Sequence, residues 1–423
     1  MSDCKATGKP ADKSADKSDC KTNIPADHSS CAVWQETTRT ARAAVDQDPV
    51  HGSITPPLYL SSNYAFAGYG QKRAYDYSRS GNPTRDMLGQ ALASLEEGYH
   101  AVVTSSGMAA LDVVFQLLEK DDLILAPHDC YGGTHRLLSF RARQGHFRVR
   151  FVDLTQTAAL AEAFAEKPAM VLIETPSNPL LRITDIRAVA AQAKAHNTIV
   201  VADNTFLSPS LQKPLLLGAD LVVHSTTKYI NGHSDVVGGA VIAKTKELHE
   251  RIAWLANCTG VTGAPFDSFL TLRGLRTLPL RIKHQEQTAA ILARYLAAHP
   301  AIARVYYPGL ETHPGHTVAC AQQGGFGAML SFELAGDNPP IAEFLTRLTG
   351  EGALFSLAES LGGFESLIAH PATMTHAAMT ADARHAAGIH DNLLRLSVGI
   401  EAAEDLQAAL DLALADLAIA AVA

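Results

Sequence analysis

Features that would indicate several other protein classes are scarce in this 423-residue chain. Its six cysteines are too few for a dense disulfide framework in a chain of this length, which favours a reduced, cytoplasmic protein. No apolar run approaches the roughly 20 residues that span a bilayer, and the net charge of -8 argues against nucleic acid as a general partner. The 18 histidines include no HExxH motif. We therefore expect a soluble cytoplasmic enzyme with no metal, membrane or nucleic-acid partner.

The most informative segment is the tetrad that runs from Ser225 to Lys228, directly after a predicted buried strand that ends at His224. A lysine at the exit of such a strand can form a Schiff base with an aldehyde cofactor, while neighbouring hydroxyls bind its phosphate. Burial would lower the lysine pKa and make the amine nucleophilic near neutral pH. On its own, the tetrad also fits a surface lysine that follows a strand.

A second strand pattern, at residues 198–205, has its only carboxylate at its end, on Asp203. A carboxylate there can pair with the pyridinium nitrogen of pyridoxal phosphate, although an aspartate after a strand also fits a helix N-cap. Asp203 and Lys228 close consecutive strand-loop patterns. Both should therefore lie at the carboxyl edge of one parallel sheet, where open α/β folds bind ligands.

Two further turns follow predicted strands. Gly107 lies where a strand at 101–103 turns into an alanine-rich helix, and such a helix start can bind phosphate through its backbone. Tyr131 follows the strand at 123–127 and could stack on a cofactor ring, although a lone aromatic residue in a turn is more often a packing residue.

Taken together, these segments resemble the Cys/Met-metabolism family of pyridoxal phosphate enzymes, the trans-sulfuration enzymes. The resemblance runs from about Thr38 to near the C-terminus, and within the family it is closest to the bacterial γ-synthases. It implies a fold type I, aspartate aminotransferase-like α/β fold with a mostly parallel central sheet and a smaller C-terminal α+β domain. The segments that carry it, in order, are 75–84, 105–108, 129–133, 174–179, 203–205, 224–229 and 394–399.

The resemblance implies that pyridoxal 5'-phosphate is held by Lys228 through a Schiff base, by Asp203 at its pyridine nitrogen and by Tyr131 on its ring. Lys228 and Tyr131 would be the catalytic residues that move protons. The implied phosphate contacts are Gly107, Met108, Ser225 and Thr227, with Tyr77 and Arg79 reaching over from a neighbouring subunit. A homotetramer built from dimers with shared active sites is therefore expected.

The implied reaction is γ-replacement of O-succinylhomoserine by L-cysteine, which gives cystathionine and succinate in methionine biosynthesis, with some γ-elimination. Alternatives are γ-elimination of cystathionine, sulfhydrylation of an O-acylhomoserine, or a noncatalytic scaffold. The implied substrate contacts are Arg395, Asn178 and Ser360 for the α-carboxylate, Arg136 for the succinyl carboxylate, and Glu359, Asp76 and Asn257 along the pocket.

Composition divides the chain into four predicted regions. Residues 1–32 repeat Ala-Asp-Lys-Ser and should form a disordered extension, whose cysteines fit no zinc pattern. Residues 33–94 should form an arm that contacts a neighbouring subunit. A cofactor-binding domain should follow at 95–280, and a C-terminal domain at 281–423.

Overall fold

The computed structural model describes residues 34–336, 339–377 and 379–415. The predicted disordered extension at 1–32 lies outside the described residues. Within those residues, none of the helices is both long and apolar enough to cross a membrane.

The larger of two sheets has seven strands in the order β1-β7-β6-β5-β4-β2-β3. Strand β7 is antiparallel to both of its neighbours, and the other pairings are parallel, so six strands point the same way. The mostly parallel central sheet is thus confirmed. The strands are β1 His100–Thr104, β2 Leu123–Pro127, β3 Arg148–Val152, β4 Met170–Glu174, β5 Ile199–Asp203, β6 Leu221–His224 and β7 Gly239–Ala243.

Both faces of this sheet are buried, because helices cover each of them. Along β5, Val200 and Ala202 pack in one apolar cluster and Val201 packs in the other. Burial on both faces explains why these strands are almost continuously apolar. The helices before and around this sheet are α1 Glu36–Ala41, α2 Pro83–Glu96, α3 Gly107–Phe115, α4 Gly132–Arg143, α5 Thr157–Phe164, α6 Ile186–His196, α7 Ser208–Leu211, α8 Pro214–Leu217, α9 Lys246–Thr259 and α10 Pro265–Leu275.

The smaller sheet has five strands in the order β10-β11-β12-β9-β8, and all its pairings except β10 with β11 are antiparallel. Its strands are β8 Ile302–Tyr306, β9 Met329–Leu334, β10 Ser356–Leu357, β11 Leu367–Ala369 and β12 Leu393–Ser397. The accompanying helices are α11 Leu278–Ala298, α12 His316–Gln322, α13 Ile341–Leu348, α14 Ala381–Ala386 and α15 Ala403–Leu414.

Helix α11 runs across the predicted domain boundary at residue 280. One buried apolar cluster contains residues of both sheets, such as Val222 of the larger sheet and Leu330 of the smaller one. The two sheets therefore share a core, and the division into two domains stays a prediction.

The predicted arm has two parts with different surroundings. Its last helix, α2, starts at an Asn82 cap that accepts two backbone N–H groups, and it buries Leu88 and Leu92 against its own chain. The preceding segment at 47–82 contains no helix or strand longer than an isolated bridge. It exposes large apolar side chains: Val50, Ile54, Leu60, Phe66 and Tyr69.

Candidate active site

The carboxyl ends of the parallel strands meet at one edge of the larger sheet, as expected for Asp203 and Lys228. Strand β5 ends at Asp203, and its neighbour β6 leads directly into the turn that carries Lys228. A cavity of about 280 Å³ opens at this edge. The predicted site residues that line it are Gly107, Met108, Tyr131, Asn178, Asp203, Ser225, Thr227, Lys228, Glu359, Ser360 and Arg395.

Lys228 presents a partly buried amine to this cavity. Its Nζ donates a hydrogen bond to Ser360 Oγ at 2.7 Å. The lysine pKa is lowered from 10.5 to about 8, mainly by burial; the Arg395 charge contributes to the decrease, and the Glu359 charge opposes it. A substantial fraction of this amine is therefore neutral near physiological pH, as a nucleophile or base requires.

Arg395 occupies the middle of β12 and is only 3% exposed. Its Nη1 donates to Asn178 Oδ1 at 2.8 Å and its Nη2 donates to the Ser360 carbonyl at 2.9 Å. Its buried Nε has no hydrogen-bond partner among the residues that the structure describes. Burial lowers the arginine pKa to about 10, so the group stays cationic at neutral pH. A buried guanidinium that donates hydrogen bonds to the neutral Asn178 amide and Ser360 carbonyl suits an anionic ligand such as a carboxylate.

Ser360 joins the amine to the guanidinium, because its hydroxyl accepts from Lys228 while its carbonyl accepts from Arg395. Its backbone has φ +86°, which is unusual for a residue other than glycine. Such strain persists only where the surrounding structure holds it, as around Ser360 between two charged groups.

The floor of the cavity is acidic. Glu174 at the end of β4 is paired in register with Asp203, whose Oδ1 accepts the Thr205 N–H at 3.0 Å. Burial raises the pKa of Asp203, and burial followed by the Asp203 charge raises that of Glu174 well above its usual range. Neither carboxyl forms an ion pair within the described part of the chain. This floor suits a ligand that carries a positive charge.

The opposite wall offers a backbone surface for an anion. Ser106 caps α3 by accepting the Ala109 N–H, and the first N–H groups of a helix have no partners within it. A Cβ on Gly107 would lie 2.8 Å from the Ser225 Cβ. Only glycine therefore lets the start of α3 approach the Ser225 turn so closely.

Five predicted site residues are not brought into the cavity of their own chain. Arg79 instead donates from Nη1 to the Asn257 carbonyl at 2.8 Å and to its Oδ1 at 3.1 Å. Tyr77 is 49% exposed, and Asp76 pairs with Lys72 at 2.8 Å. The remaining one, Arg136, is exposed on α4.

The cavity also contains residues to which the sequence interpretation assigned no role, among them Glu174, Thr205 and Thr375. Glu174 had a usable signal, since it is the carboxylate at the end of the apolar strand next to Asp203. Thr205 had none, because its hydroxyl accepts the Ser225 N–H at 2.9 Å only once two strands are adjacent. Among the described residues, no group of three or more His, Cys, Asp or Glu side chains could hold a metal ion.

Comparison with known proteins agrees with this geometry. Residues 37–415 match the model of the family described as Cys/Met metabolism PLP-dependent enzyme. The chain belongs to this family. Its enzymes depend on pyridoxal phosphate, which confirms the predicted family, fold, enzyme type and cofactor.

Individual relatives show the range of reactions within the family. The chain is 52% identical to the cystathionine gamma-synthase of Escherichia coli (strain K12), covering 89% of this chain and 97% of that protein. It is 46% identical to the cystathionine beta-lyase of Coxiella burnetii, again covering 89% and 97%. A crystal structure of cystathionine gamma synthase from Xanthomonas oryzae pv. oryzae in complex with cystathionine has a TM-score of 0.89 and 57% identity, covering 92% of this chain and 99% of that one.

The residues that line the cavity match the three reactive or charged groups of pyridoxal phosphate. The pyridinium nitrogen suits the acidic floor at Asp203, and the aldehyde suits the amine of Lys228. The phosphate suits the close approach of Gly107 to Ser225, which a Cβ would block. These pairings use the residues that the sequence predicted for the cofactor, although each residue's role stays a proposal.

Proposed function

We propose that the protein catalyses γ-replacement of O-succinylhomoserine by L-cysteine, which forms cystathionine and succinate. The observation that carries this proposal is the Lys228–Ser360–Arg395 arrangement, which joins a neutralisable amine to a buried carboxylate-binding cation in one cavity. Among the reactions of the family, γ-replacement is favoured by 52% identity to a cystathionine gamma-synthase, against 46% to the beta-lyase.

In this proposal, Arg395 and Asn178 bind the α-carboxylate of the amino-acid substrate. The guanidinium is held in place by Asn178 Oδ1 and the Ser360 carbonyl, and its Nε, which has no partner in the described part of the chain, remains available to a ligand oxygen. Binding a carboxylate there compensates a buried charge, so substrates with a free α-carboxylate are preferred.

Lys228 then moves protons at the substrate's carbons. Bound pyridoxal phosphate supplies an electron sink that stabilises negative charge next to the substrate's amino group. Lys228 Nζ, released from the cofactor by the substrate's amino group, would accept the proton from Cα, pass it to the cofactor, and then accept the second proton from Cβ. The Cγ–O bond breaks and succinate departs with the electron pair, after which the cysteine sulfur, having lost its proton, bonds to Cγ. Lys228 and the Tyr131 phenol return protons to the two carbons.

A second candidate function is cleavage of cystathionine, which the similarity to the Coxiella beta-lyase supports. The same cavity would bind cystathionine either as the product of synthesis or as the substrate of cleavage. Purified protein should therefore be assayed with O-succinylhomoserine plus cysteine, and separately with cystathionine alone, with the Lys228→Ala variant as the control. Dominant formation of cystathionine supports the synthase. Efficient cleavage of cystathionine with little synthesis would instead identify a lyase. The sulfhydrylase alternative is tested by replacing cysteine with sulfide, and the acyl donor by replacing O-succinylhomoserine with O-acetylhomoserine.

We also propose that two subunits share each active site, within a homotetramer. Arg79 and Asn257 contact each other outside their own chain's cavity. The segment at 47–82, which contains Arg79, exposes large apolar side chains that a second subunit could cover. In this arrangement Arg79 and Tyr77 bind the cofactor phosphate of the neighbouring subunit. A cytoplasmic location is supported by Cys130, Cys258 and Cys320, all of which are free thiols.

A further inference from the structure

Glu174 contacts two functional segments with a single carboxyl group. It is the last residue of β4, is only 7% exposed and lines the cavity. Its Oε2 accepts the Tyr131 N–H at 2.9 Å, and its Oε1 accepts the Asn178 N–H at 3.2 Å. Both oxygens are therefore used, and both donors belong to residues proposed to contact cofactor or substrate.

At Tyr131 the contact replaces a missing helix cap. Tyr131 is the N-cap residue of α4, and its side chain makes no capping hydrogen bond. In a capping box, a glutamate at the third helical position accepts the N–H of the N-cap residue. That position in α4 is Thr134, so Glu174 supplies the acceptor from a strand 43 residues away. The backbone from which the Tyr131 ring projects is thereby fixed to the sheet.

At Asn178 the contact extends to the substrate-binding cation. The Asn178 backbone donates to Glu174, while its side-chain Oδ1 accepts from Arg395 Nη1 at 2.8 Å. Glu174 is also paired in register with Asp203. A shift of the Glu174 carboxyl group would therefore reach the ring-stacking residue and the carboxylate-binding residues at the same time.

We propose that Glu174 is a positioning residue that holds the Tyr131 ring and the Asn178–Arg395 pair in their relative places through two backbone hydrogen bonds. The proposal rests on the cofactor and carboxylate sites of the proposed function, but not on which reaction of the family the enzyme catalyses. A glutamine at this position has the same shape but only one acceptor oxygen. Its NH₂ group must therefore face one of the two N–H donors.

The decisive variant is Glu174→Gln, compared with Glu286→Gln as a matched control. Glu286 on α11 is also a partly buried carboxylate that accepts a backbone N–H, from Phe326, and it lies outside the cavity. Apoprotein is titrated with pyridoxal 5'-phosphate by visible absorbance, and the reloaded protein is titrated with glycine as a carboxylate ligand. Loss of one of the two buried hydrogen bonds to the Glu174 carboxyl group should weaken at least one of the two affinities about 10-fold in Glu174→Gln. Both affinities should stay at wild-type values in Glu286→Gln.

The readouts separate positioning from general stability. Glu174→Asp keeps both oxygens and should recover part of the lost affinity, whereas wild-type affinities in Glu174→Gln would overturn the proposal. Equal losses in both glutamine variants, in proportion to their loss of thermal stability, would overturn it too. If Glu174→Gln does not fold, hydrogen exchange of the wild-type protein decides: the Tyr131 and Asn178 amides must be protected, and rapid exchange at both refutes the proposal. An enzyme that proved to be a lyase would leave each of these outcomes unchanged.

Discussion

The lowered pKa of Lys228 makes a quantitative prediction about the apoprotein. Burial, with the Arg395 charge added, brings the amine pKa from 10.5 to about 8. Because only the neutral amine attacks an aldehyde, the rate of cofactor attachment should rise with pH and level off above a midpoint near 8. At pH 7, about 10% of such an amine is neutral, against about 0.03% of an ordinary lysine, a difference of about 300-fold in reactive amine.

Two substitutions test the causes of this shift in opposite directions. Arg395→Leu removes a neighbouring cation that disfavours the ammonium form, so the midpoint should move to higher pH. Glu359→Gln removes an anion that favours the ammonium form, so the midpoint should move to lower pH. Since burial is the largest cause, neither substitution alone should restore the ordinary value.

The assay follows the visible absorbance of the Schiff base after apoprotein is mixed with excess pyridoxal 5'-phosphate across a range of pH. Borohydride reduction and peptide mapping then verify that the label lies on Lys228, and Lys228→Ala measures attachment to other lysines. A midpoint near 10.5 in the wild-type protein would refute the argument that burial controls this amine. Shifts of the two variants in the same direction would refute the assigned roles of Arg395 and Glu359.

Three further predictions concern stability, the cofactor cradle and the subunit arrangement. Lys228→Met should stabilise the apoprotein by about 3 kcal/mol at pH 7 in denaturant unfolding, because the unfolded lysine binds its proton more tightly than the folded one. This increase in the free energy of unfolding should be full below pH 8 and disappear as the pH rises to 10.5. An equal increase at pH 7 and above pH 10.5 would show that the lowered lysine pKa is not its cause. Gly107→Ala should weaken cofactor binding about 10-fold or more, because the new Cβ would lie 2.8 Å from Ser225. Gly324→Ala, whose Cβ would meet nothing closer than 3.5 Å, is the matched control and should bind the cofactor normally. Mixing inactive Arg79→Ala and Lys228→Ala subunits should restore about a quarter of wild-type activity if random pairing rebuilds one complete site in half of the dimers. No recovery after verified subunit exchange would show that each chain uses its own Arg79.

Much of the cofactor site could be predicted because its residues follow strand ends. Residues at the carboxyl ends of parallel strands meet at one edge, so Asp203, Lys228 and Tyr131 could be placed together without coordinates. The family resemblance added Arg395 and Asn178, which lie 217 residues apart in the chain and are hydrogen-bonded in the structure. Glu174 was missed although it ends the apolar strand next to Asp203, because its hydrogen bonds to two backbone N–H groups leave no pattern in the sequence.

By itself, then, the sequence determined the family, the mostly parallel sheet and the residues available to the cofactor, since buried strands and their polar ends are local patterns. Only the tertiary structure decided which of those residues share a cavity and which point elsewhere. It separated Arg79, Tyr77 and Asp76 from Lys228, and it buried Lys228 and Arg395 beside each other around Ser360. Burial and the distance between charges set a pKa, and both arise only when distant segments of the chain pack together.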